Sequence, residues 1–470
     1  MKRGKKLFTL LLVLALLLGA TYAATLLNPE NGEEEEISYT TVFTVDPDAV
    51  TRLSWDYREP LSFTRQDDTW SYDSDASFPL DESFIDTMLD TLKQINTSRT
   101  IEAVTDWDQY TLEVPICEIT VTAKDVTHTI KIGEETSLGG ERYLSIGDGN
   151  AYLVDADIID AFSYGLYDVL KMESIPDMSD VRSMEHLSDS DSYEIRYLEN
   201  SGLAYSDDYV WFIGEKPLDT ELTERLLSYA TGMSWQECVD YNAGDLNKYG
   251  LEEPAASIVV HYMESVQVAT NETKEDGSTV YETRENENTY TLEIGAEGTN
   301  GYYARIKDSH MVYLISSNVA QTLLYTTYEE LRPDEVLLMD WDAVEALDII
   351  LDGETYEILR QTQTVTDDEG KETEKVVYKL DGEEVDAASI PEALDDLEST
   401  GYAAGLTPER GEEICFVIKR EHGTFPEVEL SIYQYNSTSC MVTLNGEATV
   451  FVARDAVVSL VETVNALVLK

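Results

Sequence analysis

The chain has 470 residues, 43% of them hydrophobic and 10% aromatic, so it can bury ordinary cores and is not a disordered acidic polymer. It carries 32 Lys and Arg against 93 Asp and Glu, a formal net charge of −61. Such a surface repels the phosphates of nucleic acids and the headgroups of anionic lipids, which excludes nucleic acid as a partner. We expect most of the charge to form a solvated surface, with a site for cationic ligands as the alternative.

The N-terminus predicts a transmembrane anchor over residues 1–27. Four basic residues precede Leu7–Ala24, an uncharged run of 18 residues. A helix of this length extends about 27 Å, close to the thickness of bilayer hydrocarbon. A cleaved signal peptide is the alternative, because Thr21-Tyr22-Ala23 forms a poor but tolerable cleavage site. The apolar run continues to Leu27, which favours the uncleaved anchor.

The charges around this segment predict its orientation. Basic residues that precede a membrane helix stay in the cytoplasm. We therefore expect a single-pass protein of the cell membrane, with its N-terminus in the cytoplasm and its acidic body on the extracytoplasmic side. Residues 28–40, which include Glu33–Glu36, predict an extended acidic linker between the anchor and the body.

Internal repeats indicate that the body was built by duplication. The offset between matching segments is 138 or 139 residues at first and 160 to 162 residues later. An insertion between Tyr262 and Asn288, which reads as a long hairpin around Lys274–Gly277, explains the change. The matching segments are 78–81 with 216–219, 110–115 with 249–254, 132–134 with 294–296, 142–143 with 302–303, and 151–154 with 312–315.

A third, more diverged copy follows. Ile414–Ile418 stands where Ile116–Thr120 does in the first copy, and Thr449–Val452 stands where Ala151–Val154 does. This copy has its own long hairpin, with arms Thr355–Thr366 and Thr373–Leu380 around Asp367–Gly370. The predicted domains are residues 41–175, 176–336 and 337–470, with candidate boundaries at Ser174–Pro176 and Leu331–Pro333.

Each copy predicts an α+β unit, in which two helices cover a mostly antiparallel sheet. Two strands begin the first copy, Val50–Asp56 and Leu61–Trp70. A helix follows, with Asp81 as its cap in the first copy, Asp219 in the second, and Ser389 with Glu392 as a capping box in the third. An amphipathic helix is predicted to close each copy, at Ile158–Leu170, Asn318–Tyr328 and Asp455–Leu469.

These features resemble the DUF4340 family of bacterial envelope proteins. The residues that carry the resemblance are the basic N-terminus with one apolar segment, Leu53-Ser54-Trp55, Trp70, Phe78–Asp81, Tyr249–Pro254, Gly133, Gly295 and Gly301–Arg305. It covers residues 1 to about 330 well and the rest weakly. The family has no assigned catalytic residues, and some members resemble auxiliary proteins of gliding-motility-type ABC transporters. The resemblance therefore implies a transporter or envelope-complex partner. Thr111 departs from the pattern, because the second copy has Gly250 there.

The sequence motifs assign no catalytic, cofactor-binding or metal-binding residues, and we expect that the protein is not an enzyme. The five histidines are too far apart in sequence for a helical zinc motif, and no nucleophile elbow or phosphate loop is present. Ser188–Ser192 and Asp367–Gly370 are the best calcium candidates, although neither matches a calcium loop. Among the four cysteines, Cys415 and Cys440 lie in one copy and are candidates for a disulfide, with buried thiols as the alternative.

The recurring aromatic residues are expected to build the cores, with a shared ligand groove as the alternative. They are Trp55, Trp70, Tyr143, Tyr152, Trp211, Tyr302, Tyr303 and Tyr313. The sequence thus predicts a non-catalytic, membrane-anchored binding or scaffold module of the cell envelope, with a protein or cell-wall partner. A cell-wall hydrolase and a calcium-stabilised ligand-binding protein are the alternatives.

Overall fold

The computed structural model describes residues 39–274, 278–366, 372–421 and 423–468. The chain divides between Glu173 and Ser174 into two compact units. Within the described residues, no helix combines the length and the apolar character that crossing a membrane requires. The predicted anchor, residues 1–27, and most of the predicted linker lie outside the described residues.

The first unit contains one eight-stranded antiparallel sheet and a small two-stranded one. In the larger sheet the strands lie in the order β4-β3-β2-β7-β8-β9-β10-β6, and β1 pairs with β5 in the smaller sheet. The strands are β1 (Thr40–Thr44), β2 (Val50–Asp56), β3 (Pro60–Gln66), β4 (Thr69–Tyr72), β5 (Gln94–Thr97), β6 (Arg99–Ile101), β7 (Cys117–Ala123), β8 (Val126–Glu135), β9 (Glu141–Ser145) and β10 (Ala151–Asp155).

The second unit contains two nine-stranded antiparallel sheets. The first of them has the order β14-β13-β12-β11-β16-β17-β18-β19-β15. Its strands are β11 (Asp180–Leu187), β12 (Ser192–Tyr197), β13 (Trp211–Ile213), β14 (Lys216–Pro217), β15 (Glu237–Asp240), β16 (Ala256–Thr273), β17 (Thr279–Glu297), β18 (Tyr302–Ile306) and β19 (Val312–Ile315).

The other sheet of the second unit has the order β23-β22-β21-β20-β25-β26-β27-β28-β24. Its strands are β20 (Val344–Leu351), β21 (Glu354–Thr366), β22 (Glu372–Leu380), β23 (Glu383–Val385), β24 (Ser399–Tyr402), β25 (Glu412–Arg420), β26 (Glu427–Gln434), β27 (Ser439–Leu444) and β28 (Glu447–Ala453).

The three large sheets share one strand order, which confirms a repeated sheet unit. The first strands of the three sheets are β2, β11 and β20. On one side each pairs with the next strand along the chain, which continues to one edge of the sheet. On the other side they pair with β7, β16 and β25, respectively. A strand that follows the helix lies at the far edge: β6 in the first copy, β15 in the second and β24 in the third. β25 occupies the position of β7, and β28 that of β10, as the alignment of the third copy predicts. The division into three domains at the predicted boundaries stays a prediction.

Helices pack on these sheets through apolar stripes. In the first copy, α1 begins after Asp81, whose side chain accepts a hydrogen bond from the Ser83 backbone N–H, and it buries Ile85, Met88, Leu89 and Leu92. Asp219 caps the corresponding helix by accepting from the Leu222 backbone N–H at 2.7 Å, as predicted. The helices are α1 (Glu82–Lys93), α2 (Thr220–Thr231), α3 (Ser317–Tyr325), α4 (Tyr328–Leu331), α5 (Ser389–Asp395) and α6 (Arg454–Val468).

The first copy is not closed by an α-helix, so the prediction for Ile158–Leu170 is wrong. The chain forms two 3₁₀ segments instead, Ala156–Phe162 and Leu166–Val169. Gly165 stands between them, and glycine disfavours a continuous helix. The Asp168 carboxylate also accepts from the Gly165 backbone N–H at 2.8 Å, which begins a new segment there. The closing helices of the other copies are present as α3 with α4, and as α6.

Two smaller predictions are also wrong. The predicted strand Leu61–Trp70 is divided into β3 and β4 by a turn at Asp67 and Asp68, both with positive φ. Short acidic side chains tolerate that conformation better than most residues do. Ser389 is the first residue of α5 and follows Ala388, which makes no side-chain capping bond, so the predicted capping box is absent.

Candidate functional site

The family motif around Tyr249 and Gly250 forms a tight turn that packs against a neighbouring strand. Gly250 has φ +67°, and its backbone N–H donates to the Asn247 carbonyl at 3.1 Å. A Cβ on Gly295 of β17 would lie 2.3 Å from the Tyr249 carbonyl oxygen, so this strand position accepts glycine alone without a shift of the backbone. The motif is therefore explained by packing.

The first copy makes the same turn with a different residue. Thr111 takes φ 55°, and its backbone N–H donates to the Asp108 carbonyl at 3.0 Å. A Cβ on Gly133 of β8 would lie 2.2 Å from the Tyr110 carbonyl oxygen. The turn is thus unchanged where threonine replaces glycine, and the departure of Thr111 from the motif leaves the backbone intact.

The tyrosine of this motif has a polar contact in the second copy. The Tyr249 hydroxyl donates to the Asp240 carboxylate at 2.8 Å and lies 3.0 Å from the Lys248 ammonium. Burial and the negative charge of Asp240 together raise the pKa of Tyr249, although the hydrogen bond from Lys248 opposes them. The phenol therefore stays neutral and serves as a hydrogen-bond donor within the fold.

The recurring aromatic residues mostly belong to the cores, which confirms the structural interpretation. Six of the eight are buried: Trp55, Trp70, Tyr152, Trp211, Tyr302 and Tyr313. Tyr143 and Tyr303 are half-buried, and each packs its ring against the tyrosine of the motif in its own copy, Tyr110 or Tyr249. These aromatic rings hold the motif turn in place.

Histidine and carboxylate side chains do not gather into a metal site within the described ranges. His128 and His261 lie in strands as predicted, and His261 is hydrogen-bonded to Glu185 and Thr289, each at 3.1 Å. The calcium candidate Ser188–Ser192 is the turn between β11 and β12, closed by its own serine hydroxyls. The other candidate, Asp367–Gly370, and His422 lie outside the described residues.

All four cysteines are buried, and Cys415 and Cys440 keep free thiols, so the suggested Cys415–Cys440 disulfide is absent. The two residues lie on β25 and β27, with β26 between them. Two strand spacings are about 9.5 Å, which exceeds the Cα–Cα separation of a disulfide. Burial raises the pKa of both thiols, which makes them poor nucleophiles.

Two long β-ribbons extend beyond the sheets as strand pairs. The first ribbon comprises residues 264–274 and 278–286, the outer parts of β16 and β17. Beyond Met263, no third strand among the described residues continues the pairing of β16, and β18 joins β17 only from Leu292 onwards. The ribbon therefore extends about 30 Å as two strands. Its described side chains are exposed or half-exposed on both faces.

The second ribbon extends from the sheet formed by β20 to β28. It comprises residues 361–366 and 372–377, the outer parts of β21 and β22, which pair with each other there. β20 pairs with β21 no further than Leu359, and β23 reaches β22 from Tyr378. Residues 361–365 and 372–376 are all exposed. Both predicted hairpins are thus confirmed as projecting elements.

Fold and motif together define a tandem-repeat α+β protein whose copies share a strand order and whose first two copies share a tight turn packed against a glycine of the neighbouring strand. The chain belongs to the family described as a domain of unknown function, DUF4340, whose model matches residues 70–203 and 214–413. Each match begins near the strands that precede a helix; the first ends shortly after β12, and the second ends in β25. No curated protein and no solved structure matches the chain.

Proposed function

We propose that this protein is a non-catalytic binding module of the cell envelope, anchored in the membrane by residues 1–27, and that its two ribbons contact a partner protein or a wall component. The observation that carries the proposal is the exposure of both ribbons. A two-stranded ribbon buries no core and adds little stability of its own. Segments of this kind, held by a rigid scaffold, are where proteins commonly place their contacts.

The backbone of the ribbons supports a specific mode of contact. Each ribbon has outer edges whose N–H and C=O groups meet no further strand among the described residues. Such edges pair with extended segments of another chain, because main-chain hydrogen bonds supply affinity without side-chain specificity. The first ribbon has four acidic and two basic side chains among its described residues, so a neutral or basic partner fits it best.

The anchor is supported by the sequence. Leu7–Ala24 is uncharged and follows four basic residues, a pattern that fixes a helix in the membrane with its start in the cytoplasm. In this arrangement the acidic linker separates the body from the membrane surface. The family resemblance favours an ABC-type transporter as the partner, with this protein in an accessory role.

Shortening the ribbons tests the proposal. One variant joins Glu264 to Asn286 through Asn-Gly, and the other joins Gln361 to Val377 in the same way, since Asn-Gly closes two-residue hairpins. Both should fold, because the strand pairs that enter the sheets remain. Photo-crosslinking in intact cells should then capture less partner with one variant and none with the double variant. An unchanged set of captured proteins in the folded double variant would contradict the proposal.

A further inference from the structure

A cleft lies where the two sheets of the second unit meet, and its walls come from both. It has a volume of about 450 Å³, within the roughly 300–1,000 Å³ typical of small-molecule sites. Sites of this kind often occur between domains or subdomains. The interior is mainly apolar, and Ala204, Leu337, Phe425, Leu444 and Val450 are among the residues that form it.

The cleft is preformed, because a loop from the first sheet is fixed to the second. The Ser206 hydroxyl donates to the Asp340 carboxylate at 2.7 Å. The Tyr205 ring meets that of Phe425 edge-on, with centroids 4.9 Å apart, and the Asn445 amide donates to the Tyr205 hydroxyl at 3.3 Å. A preformed wall lowers the conformational entropy that the protein must lose when a ligand binds.

Two cations line the cleft and keep unused donors. The Lys216 ammonium stands 4.8 Å from the centre of the Tyr328 ring and has no carboxylate within 4.0 Å among the described residues. Arg332 lies against the Tyr402 ring and approaches the Glu329 carboxylate at 3.5 Å. Burial lowers the pKa of Arg332, while the charge of Glu329 opposes that effect, so the guanidinium is charged but incompletely hydrated.

Besides Glu329, which pairs with Arg332, two further carboxylates line the same cleft without forming ion pairs with these cations. Glu335 and Glu447 are both exposed, and neither forms an ion pair with any described residue. The tyrosine rings hold the cations in place, so charges of both signs are available. Tyr209 adds a hydroxyl that makes no hydrogen bond with the described residues. An apolar interior lined by both positive and negative groups complements a zwitterion that has an apolar body.

We propose that this cleft binds a short apolar peptide with free termini, whose carboxylate meets Lys216 and Arg332 and whose ammonium group meets Glu335 and Glu447. Capture of free peptide termini is a known mode of recognition. The site is separate from both ribbons, so it can be tested independently of them. A short peptide released from the wall and one released from a protein by proteolysis share this chemistry.

Calorimetry on the full chain in lipid nanodiscs tests the proposal. The probe is the tripeptide alanyl-phenylalanyl-alanine, which should bind saturably with one site per chain. Acetylation of its amine or amidation of its carboxylate should weaken binding roughly tenfold, since each removes one charge-assisted contact. A second arm uses the peptide with a terminal D-alanine. Preference for it indicates a peptide released from the wall, and preference for the all-L form indicates a peptide released from a protein.

Three variants assign the binding to the cleft. Ala404→Trp fills the cleft from an exposed position and should abolish binding without unfolding the chain. Lys216→Gln should reduce the preference for a free carboxylate, because Arg332 remains, and Glu447→Gln should reduce the preference for a free amine, because Glu335 remains. Lys124→Gln, on an exposed turn of the first unit, is the matched control and should bind normally. Equal binding of free and blocked peptides, undiminished binding by Ala404→Trp, or no binding at about 10 mM peptide would overturn the proposal.

Discussion

The motif turns of the first and second copies have the same backbone conformation but different residues at their tips. Thr111 and Gly250 take φ 55° and φ +67°, yet only glycine adopts that conformation without steric cost. The partner strand varies less, since Gly133 and Gly295 are both glycine and both face a carbonyl oxygen. Close packing of two backbones is thus a stricter requirement than the turn conformation.

The largest effect should come from a methyl group on the partner strand. Gly133→Ala and Gly295→Ala place a Cβ 2.2 Å and 2.3 Å from a carbonyl oxygen, so backbone has to move. We expect each to lower the free energy of unfolding by about 3 kcal/mol. Urea denaturation measures the loss, and hydrogen exchange should locate it in the altered unit. Gly244→Ala, with open space around its Cβ, is the control and should change stability little.

Exchanging the turn residues should give effects of opposite sign. Gly250→Thr introduces a left-handed threonine, and a Cβ there would lie 2.8 Å from the Ala296 backbone nitrogen. We expect a loss of about 2 kcal/mol, whereas Thr111→Gly should be neutral or stabilise by up to about 1 kcal/mol. The same denaturation experiment measures both. A loss of stability in Thr111→Gly as large as that in Gly250→Thr would refute the common backbone requirement.

We expect the hydroxyls of the two motif tyrosines, Tyr249 and Tyr110, to contribute differently to stability because their hydrogen bonding differs. Tyr249 donates to Asp240, whereas the Tyr110 hydroxyl makes no hydrogen bond with the described residues. Tyr249→Phe should therefore cost about 1 kcal/mol and Tyr110→Phe close to nothing. Comparison of the two variants by thermal unfolding tests this difference. Equal costs would show that ring packing alone stabilises the motif.

The smallest effect is a pH dependence confined to the first unit. Burial favours a higher pKa for Asp73, but hydrogen bonds from Ser62 and Thr64 and the charge of Arg52 outweigh it and lower the pKa. The stabilisation is complete above the ordinary value, about 3.9, and is lost as the pH falls through the lower folded-state pKa. Asp73→Asn should flatten the acid limb of the stability curve for this unit. An unaltered acid limb would contradict the assignment.

Sequence reasoning succeeded where periodicity and repetition were strong. The caps at Asp81 and Asp219 and both long hairpins were predictable because their signals are local. The 3₁₀ segments after β10 were not, because their apolar spacing fits either helix type and tertiary packing decides between them. The cleft was also unpredictable, since Lys216, Arg332 and Glu447 are distant in sequence and meet only through the contact of two sheets.

The proposed function depends most on which side of the membrane the acidic body occupies. Intact cells that produce the full chain can be treated with a protease that does not cross the membrane, and the membrane and soluble fractions can then be probed for both ends. We predict that the chain is in the membrane fraction and that its body is digested from outside, while the basic N-terminus is protected. Recovery of the undigested full chain in the soluble cytosol would contradict the proposed function.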